Sequence, residues 1–437
     1  MVLNNLNVGY MKIQFLGATQ TVTGSKYLIQ TEQMNVLVDC GLFQGYKELR
    51  LRNWARLPID PTTIDFVLLT HAHIDHSGYI PLLVKNGFCG KIICTEATRE
   101  LCNILLPDSG HLHEEDARYA NRKGYSKRHP ALPLYTQAEA EISLNYFQTI
   151  PFDKRFKIHD GFYASFHYAG HILGASSIRV EHEGTSLLFS GDLGRINDPI
   201  MNSPQNPPES DYLVIESTYG DRLHDKTEPE EQLREIINRT VKRGGVLLVP
   251  AFAVGRTQLL LYYIHQLKAK KEIPDIPVFV DSPMATNATH IFAQHAGENR
   301  LTNQQCKDIC SVAQYIHTVE ESIALGMRKV PMIIISASGM ATGGRILHHI
   351  RNFAPHYRNT ILFSGFQAGG TRGDRMVHGE KEIKMFGQMV SIQAEVIQLE
   401  NTSAHADYEE ILTWLAHLKK RQETSLLPTE KKNQRKH

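Results

Sequence analysis

The sequence predicts an α/β protein in which a β-rich segment is interrupted by a parallel α/β unit. Three observations carry this. Short β-rich runs alternate with turns through the first half of the 437 residues; a pattern of buried strand, small-residue loop and helix recurs from Val246 to Phe363; and a dense histidine cluster directly follows one early strand-like run.

The early runs are Lys12–Phe15, Lys26–Ile29, Val36–Val38, Phe66–Leu69 and Lys91–Cys94. A polar stretch from Asp108 to Pro133 follows, with Arg118, Arg122, Lys123, Lys127 and Arg128 around Tyr119 and Tyr125. Such charge runs are usually solvated surface, although this one would also suit a long polyanion. Strand-like runs return at Ile178–Val180, Ser186–Phe189 and Leu213–Ile215. Leu233, Ile236, Ile237 and Val241 then mark one apolar face of a helix that stops at Gly244-Gly245. Val246–Val249, Pro277–Val280, Met332–Ile335 and Thr360–Phe363 read as buried strands, with a helix expected over Thr257–Lys268. Tyr408–Lys419 reads as a further helix. Beyond it, Arg421–His437 has only Leu426 and Leu427 as larger apolar residues, so a solvated tail is expected there and not a strand.

A formal net charge of +1 gives no global field to attract a polyanion, so any such attraction must be local. The N-terminus lacks a basic segment followed by an apolar stretch and cleavage site, and residues 1–10 read as an extension before Met11. No apolar run approaches the roughly twenty residues a membrane helix needs. The six cysteines (Cys40, Cys89, Cys94, Cys102, Cys306, Cys310) form no CxxC pair and read as free thiols of a cytoplasmic protein.

The sharpest chemical signal is Thr70-His71-Ala72-His73-Ile74-Asp75-His76. His71 and His73, two apart on an extended segment, can project to one side, with Asp75 and His76 following as the chain turns into a helix. Imidazole nitrogen and carboxylate oxygen together suit zinc, and a catalytic site leaves a position open for water. The bland alternative is a surface histidine cluster with Asp75 as a helix cap. His171, within Ala169-Gly170-His171-Ile172-Leu173-Gly174, and Asp192, within Ser190-Gly191-Asp192-Leu193-Gly194, are turn or capping residues if read singly. Read together with His71–His76, they become ligand candidates.

These ordered motifs resemble the metallo-β-lactamase fold, with Asp39 in Leu37-Val38-Asp39-Cys40-Gly41 at its early acidic position. Val214–Asp221, with Glu216, resembles motif A of the β-CASP ribonucleases, and Ser403–Asp407, with His405, resembles motif B. Pro250–Arg256, Asp281–Ala285 and Ser336–Met340 are similar to further segments of that family, and the resemblance spans roughly residues 11–420. It implies a four-layer αββα sandwich with an inserted α/β β-CASP domain. The expected limits are 1–220 for the first part of the lactamase domain, 221–388 for the insert, 389–420 for the return and 421–437 for the tail.

The resemblance further implies two Zn2+ ions: one held by His71, His73, His171 and Asp192, the other by Asp75, His76 and a bridging Asp192. Asp39 would orient ligands from behind, and Asp75, His405 and Glu216 would be catalytic, His405 as general acid kept protonated by Glu216. The implied substrate is single-stranded RNA, with Ser338, Arg256 and Arg345 as substrate contacts, no membrane partner and a possible homodimer. One departure is visible. The family carries a further histidine, motif C, after motif B at the end of a late strand; at Ser425–Leu427, where that spacing falls, there is neither histidine nor an expected strand. Val377-His378-Gly379-Glu380 has the right residues but precedes His405, and the chain reads as shortened or altered after Lys420. Against the nuclease stand two alternatives, an RNA-binding scaffold with an impaired second metal site and a small-molecule metallohydrolase of the same superfamily.

Overall fold

The computed structural model describes residues 5–124, 129–418 and 424–426. The chain folds into two compact units, one ending at Leu223 and resuming at His405, the other running from His224 to Ala404.

In the first unit, seven strands form one sheet in chain order: Asn5–Val8, Met11–Phe15, Tyr27–Gln30, Asn35–Val38, Phe66–Leu68, Lys91–Cys94 and Phe147–Thr149. The first four pair antiparallel and the rest parallel. A second sheet has the order Thr424–Leu426, Tyr212–Val214, Thr185–Phe189, Ser176–His182, Phe162–Tyr168, Phe156–His159. The sheets pack face to face: Val36, Val38, Leu68 and Ile93 of the first share a core with Phe166, Ile178, Val180, Leu187 and Phe189 of the second. Side chains alternate across a strand, so Leu37, Val67 and Ile92 point the other way, yet they too are fully buried. Helices Ile80–Lys85, Glu96–Lys123 and Gln137–Ser143 form the layer on the first sheet's side. Ile411 and Trp414 of helix Tyr408–Leu415 pack on Leu188 and Leu213 of the second sheet. The result is the expected αββα sandwich.

Two expectations change. The polar stretch after Asp108 continues the helix Glu96–Lys123, with Pro107 inside it. Its buried positions here are Gly110, Ala117 and Ala120, too small to mark an apolar face in the sequence. Residues 125–128, with Lys127 and Arg128, lie outside the described residues. Within the expected solvated tail, Thr424–Leu426 is a strand, paired in parallel with Tyr212–Val214. The open edge of Tyr212–Val214 supplies a ladder of backbone donors and acceptors that a polar segment can complete regardless of its own apolar content. The rest of the tail lies outside the described residues.

The second unit is a parallel sheet in the order Gln314–Tyr315, Val278–Val280, Met332–Ser336, Val246–Pro250, Thr360–Phe363, Glu395–Gln398. Every pairing in it is parallel. Its central strands are buried along their whole length, as parallel strands covered on both faces must be. Helix Pro229–Lys242 leads into the first of these strands, and helices Arg256–Ala269, Pro283–Gln294 and Ile346–Phe353 lie in connections between them. Glu395–Gln398 adds to this sheet beside Thr360–Phe363, and the chain rejoins the first unit at His405. No described helix is long and apolar enough to cross a membrane.

Candidate metal centre

The strand Phe66–Leu68 ends two residues before Thr70, and His73 caps the helical turn Ile74–Ser77 that follows. Ser77 closes the turn by donating its hydroxyl to the Ala72 carbonyl at 2.9 Å. His171 and Asp192 arrive from the second sheet, after Phe162–Tyr168 and Thr185–Phe189. Their two turns also meet backbone to backbone, the Gly194 amide donating to the Ala169 carbonyl at 2.8 Å. A Cβ on Gly194 would fall 2.0 Å from the Gly170 carbonyl oxygen, so only glycine allows this approach.

The ligand atoms of His71, His73, His171 and Asp192 all lie within 4.8 Å of one another. His73 Nδ1 is 3.1 Å from His71 Nε2 and 3.2 Å from His171 Nε2. Asp192 Oδ2 is 3.5 Å from both Nε2 atoms, while its Oδ1 lies 3.4 Å from His76 Nε2. Burial, reinforced by the neighbouring imidazoles, holds His71 well below its ordinary pKa, so it is a neutral lone-pair donor. A single proton can satisfy only one pair among three converging nitrogens, whereas a cation satisfies all of them with the carboxylate. The donor set therefore fits a divalent metal ion.

The support behind this cluster is dense. Asp39, at φ +56°, accepts from the Thr70 amide at 2.8 Å and from its hydroxyl at 2.9 Å, and contacts His76 Nδ1 at 2.7 Å. The Thr70 hydroxyl also lies 3.0 Å from His71 Nδ1. Thr70 thus links the early aspartate to the first histidine. Sequence reading passed over it, since its only signal was a hydroxyl residue at the strand end before His71. Burial alone would lower the pKa of His76, but Asp192 and Asp39 raise it to about 10; burial pushes Asp192 up to about 7 against the pull of His76 and His405.

Asp192, Glu216 and His405 form an adjoining group. His405 Nδ1 stands 3.0 Å from Glu216 Oε2 and 3.9 Å from Asp192 Oδ2. Glu216 is held in turn by the Leu193 amide, which donates to Oε1, and the Glu216 amide donates to the Ser190 hydroxyl at 3.0 Å. Burial would lower the pKa of His405, yet the charge of Glu216, then that of Asp192, and the Glu216 hydrogen bond raise it to about 9. Asp75 is partly buried in the first helical turn and adds negative potential at His76, Asp192 and His405, without belonging to either converging group.

In the second unit, the three expected substrate contacts fare differently. The Ser338 hydroxyl pairs with that of Thr342 at 2.9 Å. Arg256 opens its helix at 9% exposure, so it is not a solvated charge. Arg345 is committed elsewhere: its guanidinium bonds Asp281 Oδ1 at 2.7 Å and the carbonyls of Ile316 and His317. These bonds to a buried carboxylate and two carbonyls give Arg345 a part in holding the fold. His378 is exposed beside Asp374, and His417 is exposed too; neither joins the clusters among the described residues.

Comparison with known proteins agrees with this architecture. The Metallo-beta-lactamase superfamily model matches residues 21–243, the Beta-Casp domain 257–376, and the Zn-dependent metallo-hydrolase RNA specificity domain 389–437. The chain is 32% identical to Ribonuclease TTHA0252 of Thermus thermophilus, over 93% of this chain and 90% of that protein. It is 31% identical to Transcription termination factor FttA of Methanosarcina mazei, covering 95% of this chain but 66% of that longer protein. A crystal structure of a protein of unknown function from Enterococcus faecalis shares the fold at TM-score 0.51 and 13% identity, across 96% of this chain and 94% of that one. With three domain models matching in the order the fold requires, the chain belongs to the metallo-β-lactamase superfamily, in the branch that carries a Beta-Casp domain and an RNA specificity domain.

Proposed function

We propose that this protein is a zinc-dependent ribonuclease that hydrolyses phosphodiester bonds of single-stranded RNA. The observation that carries the reading is Asp192, which turns one carboxylate oxygen to His71 and His171 and the other to His76. That division supports a two-ion site, in which His71, His73, His171 and Asp192 would hold one ion and His76, Asp75 and Asp192 would hold the other. When bound, such a pair acidifies water and neutralises charge on a phosphodiester. Mixed nitrogen and oxygen donors favour zinc.

The chain's own groups divide the remaining work. Asp39 accepts from His76 Nδ1 and so fixes which ring nitrogen faces Asp192. Glu216 keeps His405 protonated, and His405 delivers that proton to the leaving oxygen as the phosphodiester breaks. Asp75 holds negative charge close to both. Arg256 and Ser338 are proposed to touch the RNA backbone. The described cysteines are all free, which supports a reducing, cytoplasmic setting.

Metal content per chain, measured with cleavage of end-labelled single-stranded RNA, tests the assignment. Asp192→Asn is expected to lose bound metal and to reduce cleavage to the level of chelator-treated protein; full metal content with full cleavage would refute it. Because no motif C histidine joins the described clusters, one ion per chain with RNA binding but no cleavage would instead favour the scaffold. Thr70→Val keeps the shape but removes the hydroxyl shared by Asp39 and His71. It is expected to weaken metal affinity about 10- to 100-fold, read by competition with a chromophoric chelator.

A further inference from the structure

The segment after the Asp39 strand carries a surface feature that the metal chemistry does not use. Helix Lys47–Arg52 buries none of its side chains. Tyr46 is 44% exposed and Trp54 46%, although the protein's other tryptophan, Trp414, is buried with its indole donating to the Gln205 carbonyl. Tyr46 precedes this helix as its N-cap, Arg50 lies within it and Trp54 follows its C-cap Asn53, so two exposed aromatic residues bracket an exposed arginine along one short surface stripe of chain, with Lys47 and Arg56 alongside. All five are exposed, and the only acidic residue from Tyr46 to Arg56 is Glu48.

This stripe is tied firmly to the metal loop. Asn53 clamps Phe43 from both sides, accepting from its amide and donating to its carbonyl, each at 2.9 Å. One residue earlier, the Leu42 amide donates to the Ile74 carbonyl at 2.9 Å, and the Cys40 amide donates to that of His76 at 2.7 Å. A Cβ on Gly41 would fall 1.6 Å from the Asp75 carbonyl oxygen, so the two backbones are in direct contact. The stripe is therefore an ordered surface built onto the ligand-bearing turn.

We infer that Tyr46, Arg50 and Trp54 form a stacking platform for unpaired bases of RNA flanking the scissile bond, with Lys47 and Arg56 meeting its phosphates. This rests on the reading of the protein as one that acts on RNA. Single-stranded nucleic acid is the ligand that asks for exposed aromatic faces and positive charge together, since each base offers a π-face and each linkage an anion. An apolar protein partner would not call for the arginine between the two rings.

A ten-nucleotide phosphorothioate oligoadenylate and the zinc-loaded protein provide the test. The oligonucleotide is expected to quench the emission of the wild-type protein, and Trp54→Phe to abolish that signal because Trp414 is shielded. Trp54→Ala is expected to raise Kd by about 5- to 100-fold. Arg50→Ala is expected to lower the slope of log K against log salt by roughly 0.7. Thermal melts of both variants matching the wild type establish that the fold is intact, as exposed positions lead one to expect. An unchanged emission, or wild-type affinity and salt slope in both variants, overturns the platform. So does a wild-type dimer that Trp54→Ala dissolves without loss of oligonucleotide affinity, which would assign the stripe to a second copy. Binding with the Trp54 signal but no RNA cleavage leaves the platform standing and sinks the ribonuclease reading; cleavage with an unaltered KM in Trp54→Ala does the reverse.

Discussion

His405→Ala is expected to lower kcat for RNA cleavage by about 10²- to 10⁴-fold while the metal content stays at the wild-type level. The reason is positional. His405 is not among the three histidines that converge with Asp192, but its ring lies 4.5 Å from that of His171 and its Nδ1 faces Glu216. It thus stands beside the converging histidines, where the proposed cleavage would need an acid. The sign of its pH dependence follows from its charge. Glu216 and Asp192 favour the protonated ring and raise its pKa to about 9. An acid acts only while it holds its proton, so kcat is expected to fall as pH rises through that value. Sharing Asp192 with a bound ion removes part of the charge that raises His405, which places the alkaline limb below about 9. Glu216→Gln keeps the shape but removes the charge, and should move the limb further toward acid by roughly one unit or more. A kcat profile whose alkaline limb is the same in Glu216→Gln and wild type would refute the pairing.

Asp281→Asn is expected to destabilise the second unit by about 3–5 kcal/mol. Asp281 is fully buried, and it is bonded to His349 Nε2 at 2.6 Å, to Arg345 at 2.7 Å and to the Ser322 hydroxyl. Burial alone would raise its pKa, yet the bonds from His349, Ser322 and Arg345 overcome this and hold the carboxyl below its ordinary value. A depressed carboxylate contributes stability above its unfolded pKa, near 3.9, and loses it as pH falls through the folded value. The network should therefore fail in acid, and the variant should fail at neutral pH because Arg345 and His349 lose their anion. Calorimetry is the check: at about 2–4 °C per kcal/mol for a unit of this size, the transition of the second unit should drop by roughly 6–20 °C. A shift under about 2 °C would mean that the carboxylate charge is dispensable.

How much of this was legible without coordinates depended on whether the partners were close in sequence. His71, His73 and His76 sit within one turn of chain, and their spacing next to a strand revealed the chemistry. The buried strands of the second unit were equally plain, because a parallel sheet covered on both faces demands unbroken apolar runs. Thr70 escaped notice because its meaning lies in Asp39, and Arg345 because its meaning lies in Asp281. The helix through Pro107 hid behind glycine and alanine at its buried positions, and the strand Thr424–Leu426 behind its charged neighbours.

What the sequence determined by itself was the donor inventory, the order of the motifs and the periodicities of sheet and helix, all properties of neighbouring residues. What only the tertiary structure decided was which distant groups meet: the two-sided reach of Asp192, the Glu216–His405 contact, the capture of Arg345 by Asp281 and the exposure of Trp54. The physical reason is that hydrogen bonds and ion contacts act over a few ångströms of space, whatever the length of chain between the partners. Their specificity is written only once two sheets have packed and brought their strand ends together.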